Sequence, residues 1–241
     1  MKLEDLPTPC LVLELGILKR NLARMADAVA RHPGLKLRPH MKTAKSLAVA
    51  ALAAPNHGPI TVSTIAEARY FAGGGYRDQI YAVGITPQKL AAIAAINAQG
   101  NDVKIITDDL EVASAIAAHP GILPTLIEVD CGEGRGGIAP DSAVLAEIAQ
   151  RLGARCAGIM THAGHSYAER NEDGMRKIAE AERAGAVLAA ERLRGMGITP
   201  RVVSAGSSPT ALYGQSMAGI TDIRAGVYMF GDLFQGQIGT H

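Results

Sequence analysis

Eight short runs rich in β-branched and aliphatic residues recur along this chain, separated by alanine-rich stretches of helical period. The runs cover residues 35–39, 60–63, 79–83, 103–107, 123–130, 155–161 and 201–204, with a last one between 221 and 230. Strands alternating with helices cannot pair through hairpins, so this pattern calls for parallel strands with helices as crossovers. Eight such units form either a closed barrel or an open doubly wound sheet. No Gly-x-Gly-x-x-Gly follows an early strand, and polar motifs recur after nearly every strand. A closed barrel gathers all those strand ends on one face, where its active site lies. The expected fold is therefore an α/β (β/α)8 TIM barrel, for which 241 residues is an ordinary length.

Local chemistry agrees with this reading. Thr86 stands ahead of Pro87 at a first helical position, Asp108 lies three residues before Glu111 as a capping box, and Gly100 and Gly153 follow helix ends. A helix is expected over 43–54 after the first strand. Before that strand, residues 11–15 read as a lead-in strand, and Leu18, Leu22, Met25 and Val29 mark the buried face of a helix. The formal charge is +1, which gives no bias toward nucleic acid or acidic membranes. Cys10, Cys131 and Cys156 are too few and too scattered for a disulfide framework or a zinc site, and read as reduced thiols in cytoplasm. No apolar run approaches the roughly 20 residues of a membrane span.

Five groups of residues carry chemistry. Arg38-Pro39-His40-Met41-Lys42-Thr43 ends the first strand, so its polar side chains should project into the barrel mouth, with Arg38, His40 and Lys45 supplying positive charge around Lys42. A lysine partly desolvated among cations loses its proton more readily, and only the neutral amine attacks an aldehyde. Residues 128–137 follow strand five, with four glycines and Arg135 as a fork of donors. Thr161-His162-Ala163-Gly164-His165-Ser166-Tyr167 ends strand six and brings two imidazoles and a phenol to the same face. Ser204-Ala205-Gly206-Ser207 after strand seven and Arg224-Ala225-Gly226-Val227 at strand eight occupy the two positions from which barrels commonly build a phosphate site.

These motifs, with Thr8-Pro9-Cys10-Leu11-Val12-Leu13, together resemble the D-threonine aldolase and D-serine dehydratase group. That group belongs to the alanine-racemase-like, fold-type III pyridoxal phosphate enzymes. The resemblance implies that Lys42 forms the imine with the cofactor, that Arg135 lies near its phenolic oxygen, and that His162, with His40 close by, lies against its ring. It also implies that Ser204, Gly206, Ser207, Gly226 and Val227 cradle the phosphate, and that Arg224 faces the ring nitrogen. An arginine cannot accept a proton, so that nitrogen should stay unprotonated and the ring a modest electron sink.

The activity implied is a lyase reaction on D-β-hydroxy amino acids: retro-aldol cleavage to glycine and an aldehyde, with His165 and Tyr167 as candidates for proton transfer. Elimination of the hydroxyl by a dehydratase, a racemase of the same fold, a non-catalytic carrier of the cofactor, and a barrel without cofactor are the alternatives. Members of the group hold the β-hydroxyl with a divalent metal such as manganese, whose ligands come from a β domain following the barrel. This sequence ends at His241, so the expectation is one barrel over 1–241, with 1–16 as lead-in, no C-terminal β domain and no metal ligands of its own. An unpaired lead-in strand would expose an edge and favour a homodimer.

Overall fold

In the computed structural model, which describes residues 2–240, all eight expected strands form. They are β1 (Lys36–Pro39), β2 (Ile60–Val62), β3 (Asp78–Gly84), β4 (Asp102–Thr107), β5 (Thr125–Val129), β6 (Cys156–Thr161), β7 (Val202–Ala205) and β8 (Asp222–Ala225). Every pairing is parallel, in the order β1-β8-β7-β6-β5-β4-β3-β2. Ladders join all neighbours except β1 and β2, whose backbones meet at the His40–Thr61 bridge, where the Met41 amide donates to Thr61 O at 2.8 Å. The tube is therefore closed at one seam by a single staple.

The crossovers are α2 (Leu47–Ala53), α3 (Ile65–Gly73), α4 (Leu90–Asn97), α5 (Leu110–Ala118), α6 (Ala143–Leu152), α7 (Glu172–Gly195) and α8 (Ser208–Tyr213), with α1 (Leu15–Ala30) before β1 and α9 (Leu233–Gln237) after β8. Leu18, Met25, Ala28 and Val29 bury the inner face of α1, as their spacing requires. The main core packs helices onto the outer face of the sheet, while a smaller cluster of Ile80, Ile106, Leu126, Ala157, Met160 and Val202 comes from strands alone. Such strand-only packing fills a barrel's interior.

Three local expectations are corrected. Residues 11–14 carry no regular structure, and Leu15 already opens α1; Leu11 is fully exposed, so nothing in the described chain offers it a ladder. The helix after β1 begins at Leu47, because Lys45 has φ 48° and Ser46 caps the amide of Val49 instead. Asp109, rather than Asp108, caps α5 by accepting from Val112 N at 2.8 Å. Asp108 accepts from Gly137 N at 2.7 Å and so ties the loop after β5 to the end of β4. Among the described residues, no helix is long and apolar enough to cross a membrane.

Candidate active site

The site gathers at the C-terminal ends of the strands, where Lys42 sits in the turn after β1. Its side chain stands in an open mouth, yet partial burial and the charges of Arg135 and Arg224 hold the ammonium below its ordinary range. The expected neighbours are only partly right. Arg38 is buried and runs the opposite way, toward the strand starts, donating to Ile60 O, to Asp78 at 2.8 Å and to Asp222. Lys45 points outward, two-thirds exposed, 4.0 Å from Glu67. The arginines acting on Lys42 thus come from the loop after β5 and from β8. Two residues of one motif can point to opposite ends of the barrel when their partners lie there, which periodicity does not encode.

His40 and His162 flank this lysine as neutral rings. Burial and the charge of Lys42 and Arg224 hold His40 well below its ordinary range. Burial and Arg224 hold His162 at about 3. His162 Nδ1 lies 2.7 Å from Gly206 O, so the proton resides on Nδ1 and the ring is fixed edge-on to β7. His165 has a buried Nδ1 with no hydrogen-bond partner, and its ring lies beside Gly132. Arg135 is mostly exposed and paired with Glu133 at 3.4 Å. The loop bearing it is shaped by Asp130, whose carboxylate accepts the amides of Gly132 and Gly134.

The loops after β7 and β8 are narrow. Gly206 has φ 125°, and a Cβ there would lie 2.4 Å from Arg224 O, so only glycine lets the two strands approach. A Cβ on Gly226 would crowd Thr43 Oγ1 and His40 at 3.0 and 3.1 Å, which brings the β8 loop against the lysine turn. Ser207 caps α8 in a capping box with Thr210 and shares a 2.7 Å contact with Ser166. Val227 opens the short turn that follows.

Three expected roles shift with these contacts. The Gly206 amide is already taken by Glu182 at 2.8 Å, so Gly206 contributes space rather than a donor. The Ser204 hydroxyl is fully buried between Arg224 and Asp222. Tyr167 places its hydroxyl 3.1 Å from the Ser208 amide, on the β7 side of the mouth.

Whether pyridoxal phosphate fits can be tested on what these groups leave over. Ser208 Oγ is buried without a hydrogen-bond partner beside Tyr167 and Ser207, and two glycines open the cradle, with Glu182 on the Gly206 amide and Asp232 acting on Tyr167 as acidic groups beside it. An unpartnered hydroxyl in a glycine-lined recess suits a phosphate oxygen. An amine held below its usual pKa suits an aldehyde. The residues fit the group. Sequence reasoning missed Asp222, Glu182 and Glu128, the last a carboxyl at the mouth pushed upward by burial and by Asp108. Glu182 had a signal: it falls on the buried stripe of Met175, Ala179, Ala186 and Leu193, where a charge needs a reason.

A parallel eight-stranded barrel with a lysine after its first strand and narrow glycine loops after its last two has the layout of a phosphate-binding (β/α)8 barrel. Residues 13–233 match the family described as alanine racemase, N-terminal domain, and the chain belongs to that fold-type III family. It is 42% identical over 243 residues to the D-threo-3-hydroxyaspartate dehydratase of Delftia sp. (strain HT23), covering 97% of this chain and 64% of that protein. The solved structure of the Delftia dehydratase superposes with a TM-score of 0.93, covering 98% of this chain and 64% of the other. A 3-hydroxy-D-aspartate aldolase from Paracoccus denitrificans (strain Pd 1222) is 31% identical over 247 residues, covering 97% and 63%. The chain thus spans a little under two thirds of the relatives it matches.

Proposed function

We propose that this barrel binds pyridoxal phosphate at Lys42 and serves a lyase acting on small D-β-hydroxy amino acids. The observation that carries the reading is the convergence of Lys42, His162, Arg224 and the two glycine loops on one barrel face. When bound, the cofactor supplies an electrophilic aldehyde for amines and a ring that accepts electron density from the substrate Cα.

The chain's own residues divide the remaining work. The lysine amine attaches the cofactor and, once released, holds or returns a proton on one face. His162, neutral and fixed through Gly206 O, offers a flat uncharged surface for the ring. Arg224 presents donors but no acceptor toward the ring nitrogen, which keeps that nitrogen unprotonated. Ser208 and the β8 loop receive the phosphate, with Tyr167 closing the β7 side. Arg135 is the exposed cation at the mouth and suits the phenolic oxygen or a substrate carboxylate. His165, with an unpartnered nitrogen beside the loop after β5, is the candidate for proton transfer at the β-hydroxyl.

Of the two cleavages, elimination of the hydroxyl ranks ahead of retro-aldol cleavage, supported by the 42% identity to a dehydratase. The divalent metal that the resemblance implies has no set of three or more ligands among the described residues. The resemblance places such ligands in a β domain following the barrel.

The cofactor reading is tested by mixing the protein with pyridoxal phosphate and following near-visible absorbance, which should appear and become fixed on borohydride reduction. In Lys42→Ala it should be lost; an unchanged band would sink the assignment. Keto acid plus ammonia from D-threo-3-hydroxyaspartate, with manganese supplied, marks elimination, whereas glycine plus aldehyde from D-threonine marks retro-aldol cleavage.

A further inference from the structure

Beneath Lys42, a continuous path of buried polar contacts descends through the barrel, and the reaction outlined above makes no direct use of it. Arg224 Nη1 donates to Ser204 Oγ at 2.7 Å, and Ser204 Oγ donates to Asp222. A hydroxyl carries one proton, so accepting from the guanidinium and donating to the carboxylate is the one polarity open to Ser204. Asp222 also meets Arg38 Nε at 3.3 Å. Arg38 continues to Asp78 at 2.8 Å, and Lys104 joins Asp78 and Asp102 at 2.8 Å each. Arg224, Ser204, Asp222 and Arg38 are all buried, whereas the Asp78 and Asp102 side chains reach solvent at the strand starts.

The register explains why Asp222 matters. Arg38 and Arg224 are direct partners on adjacent strands, so two guanidiniums enter one low-dielectric interior side by side. Asp222, two residues before Arg224 and facing the same way, is the carboxylate that answers both. The head of Arg224 is further tied to Ala205 O and Thr161 O. Those contacts use both Nη1 hydrogens and one on Nη2, leaving Nε–H and one Nη2–H for a ligand. The direction of those two donors is therefore fixed from below, by Ser204 on one side and the strand carbonyls on the other.

We propose that Asp222 is a positioning residue for the cofactor, acting through Ser204 to orient Arg224 and to set the electrostatic field at the ring nitrogen. The inference rests on the cofactor reading above, and it assigns Ser204 to the support of Arg224 instead of to the phosphate.

The test compares wild type, Ser204→Ala, Asp222→Asn and, as a control in the same network, Asp78→Asn. Each is loaded with pyridoxal phosphate, and the near-visible band is titrated with pH while cofactor retention is measured by dialysis. Neutralising Asp222 leaves a more positive field around the cofactor, which disfavours the proton on its linkage to Lys42 that the band reports. The band's midpoint should fall by about one pH unit in Asp222→Asn, with a smaller fall in Ser204→Ala and about tenfold weaker retention in both. Asp78→Asn should lower thermal stability without moving the band. Unmoved midpoints in both site variants, or an equal shift in Asp78→Asn, would overturn the proposal. Should Asp222→Asn fail to fold, the midpoint in Ser204→Ala decides alone. If wild type shows no band, the cofactor reading itself has failed; if wild type binds and the variants match it, only the role of Asp222 falls.

Discussion

The carboxylate of Glu182, fully enclosed in α7, accepts the amide of Gly206 at 2.8 Å. One helix side chain thereby supports the turn that leads β7 into the candidate phosphate loop. Burial raises the affinity of this carboxyl for a proton, opposed by hydrogen bonds from Gly206 and Thr210. A group whose native pKa is raised binds more protons folded than unfolded, so it makes stability fall as pH rises from the ordinary carboxyl range upward. Glu182→Ala should cost about 2–4 kcal/mol, since it leaves a cavity and a stranded amide. Glu182→Gln, which keeps an acceptor, should lose less than half as much and flatten that pH dependence. Thermal unfolding of the three proteins as a function of pH measures both effects; equal losses in the two variants would refute the account.

Asp78 responds to pH with the opposite sign. Burial pushes its carboxyl up, but Arg38 and then Lys104 overcome this and hold it at about 2. A depressed native pKa contributes stability above the unfolded value, here 3.8, and loses it as pH falls toward 2. Denaturant unfolding of wild type should therefore weaken across that acid window, and Asp78→Asn should be less stable at neutral pH with a shallower acid slope. A variant that keeps the full wild-type slope would remove Asp78 as its source.

Lys42 should show its altered acidity without any substrate. Partial burial, Arg135 and Arg224 lower its pKa, so reductive labelling by a simple aldehyde should reach half-maximal rate at a lower pH than for a lysine-containing model peptide mixed with it. Removing a nearby cation restores proton affinity, so Arg135→Ala should move the Lys42 midpoint upward, by a modest amount because Arg135 is mostly solvated. Peptide mass spectrometry resolves the two lysines; a midpoint unchanged by Arg135→Ala would separate the loop from Lys42.

Gly206→Ala and Gly34→Ala form a matched pair. Both positions have positive φ, but a Cβ at Gly206 meets Arg224 O at 2.4 Å, whereas one at Gly34 meets nothing within 4 Å. The first should cost about 3 kcal/mol or more and weaken cofactor retention, the second about 1 kcal/mol with retention intact. Comparable losses at the two positions would mean that the strand approach at β7 and β8 is not what glycine secures.

The strands were legible because burial on both faces of a parallel barrel writes continuous aliphatic runs, and helices between them carry their own stripes. All eight strands lie where those runs lie. The site was legible as an address, since strand-end motifs must share one face. Direction was not. Arg38 and Lys42 belong to one motif, yet Arg38 runs to the strand starts because Asp78 and Asp222 are there. Asp109 displaced Asp108 as the cap because the loop after β5 claimed Asp108. The run at 11–15 had strand composition without a partner to make it one. Asp222 could have been found by parity, since it precedes Arg224 by two on the same strand and so shares its face.

The single staple between His40 and Thr61 bears on the turn that carries Lys42. Seven neighbouring strand pairs hold by ladders, so the barrel can part at β1 and β2 without unzipping any other pair. Deuterium should enter at Met41 before it enters the amides of β5 and β6. Lys42 therefore sits in the turn beside the one joint between strands that no ladder closes, while Arg224 lies between strands that ladders hold on both sides.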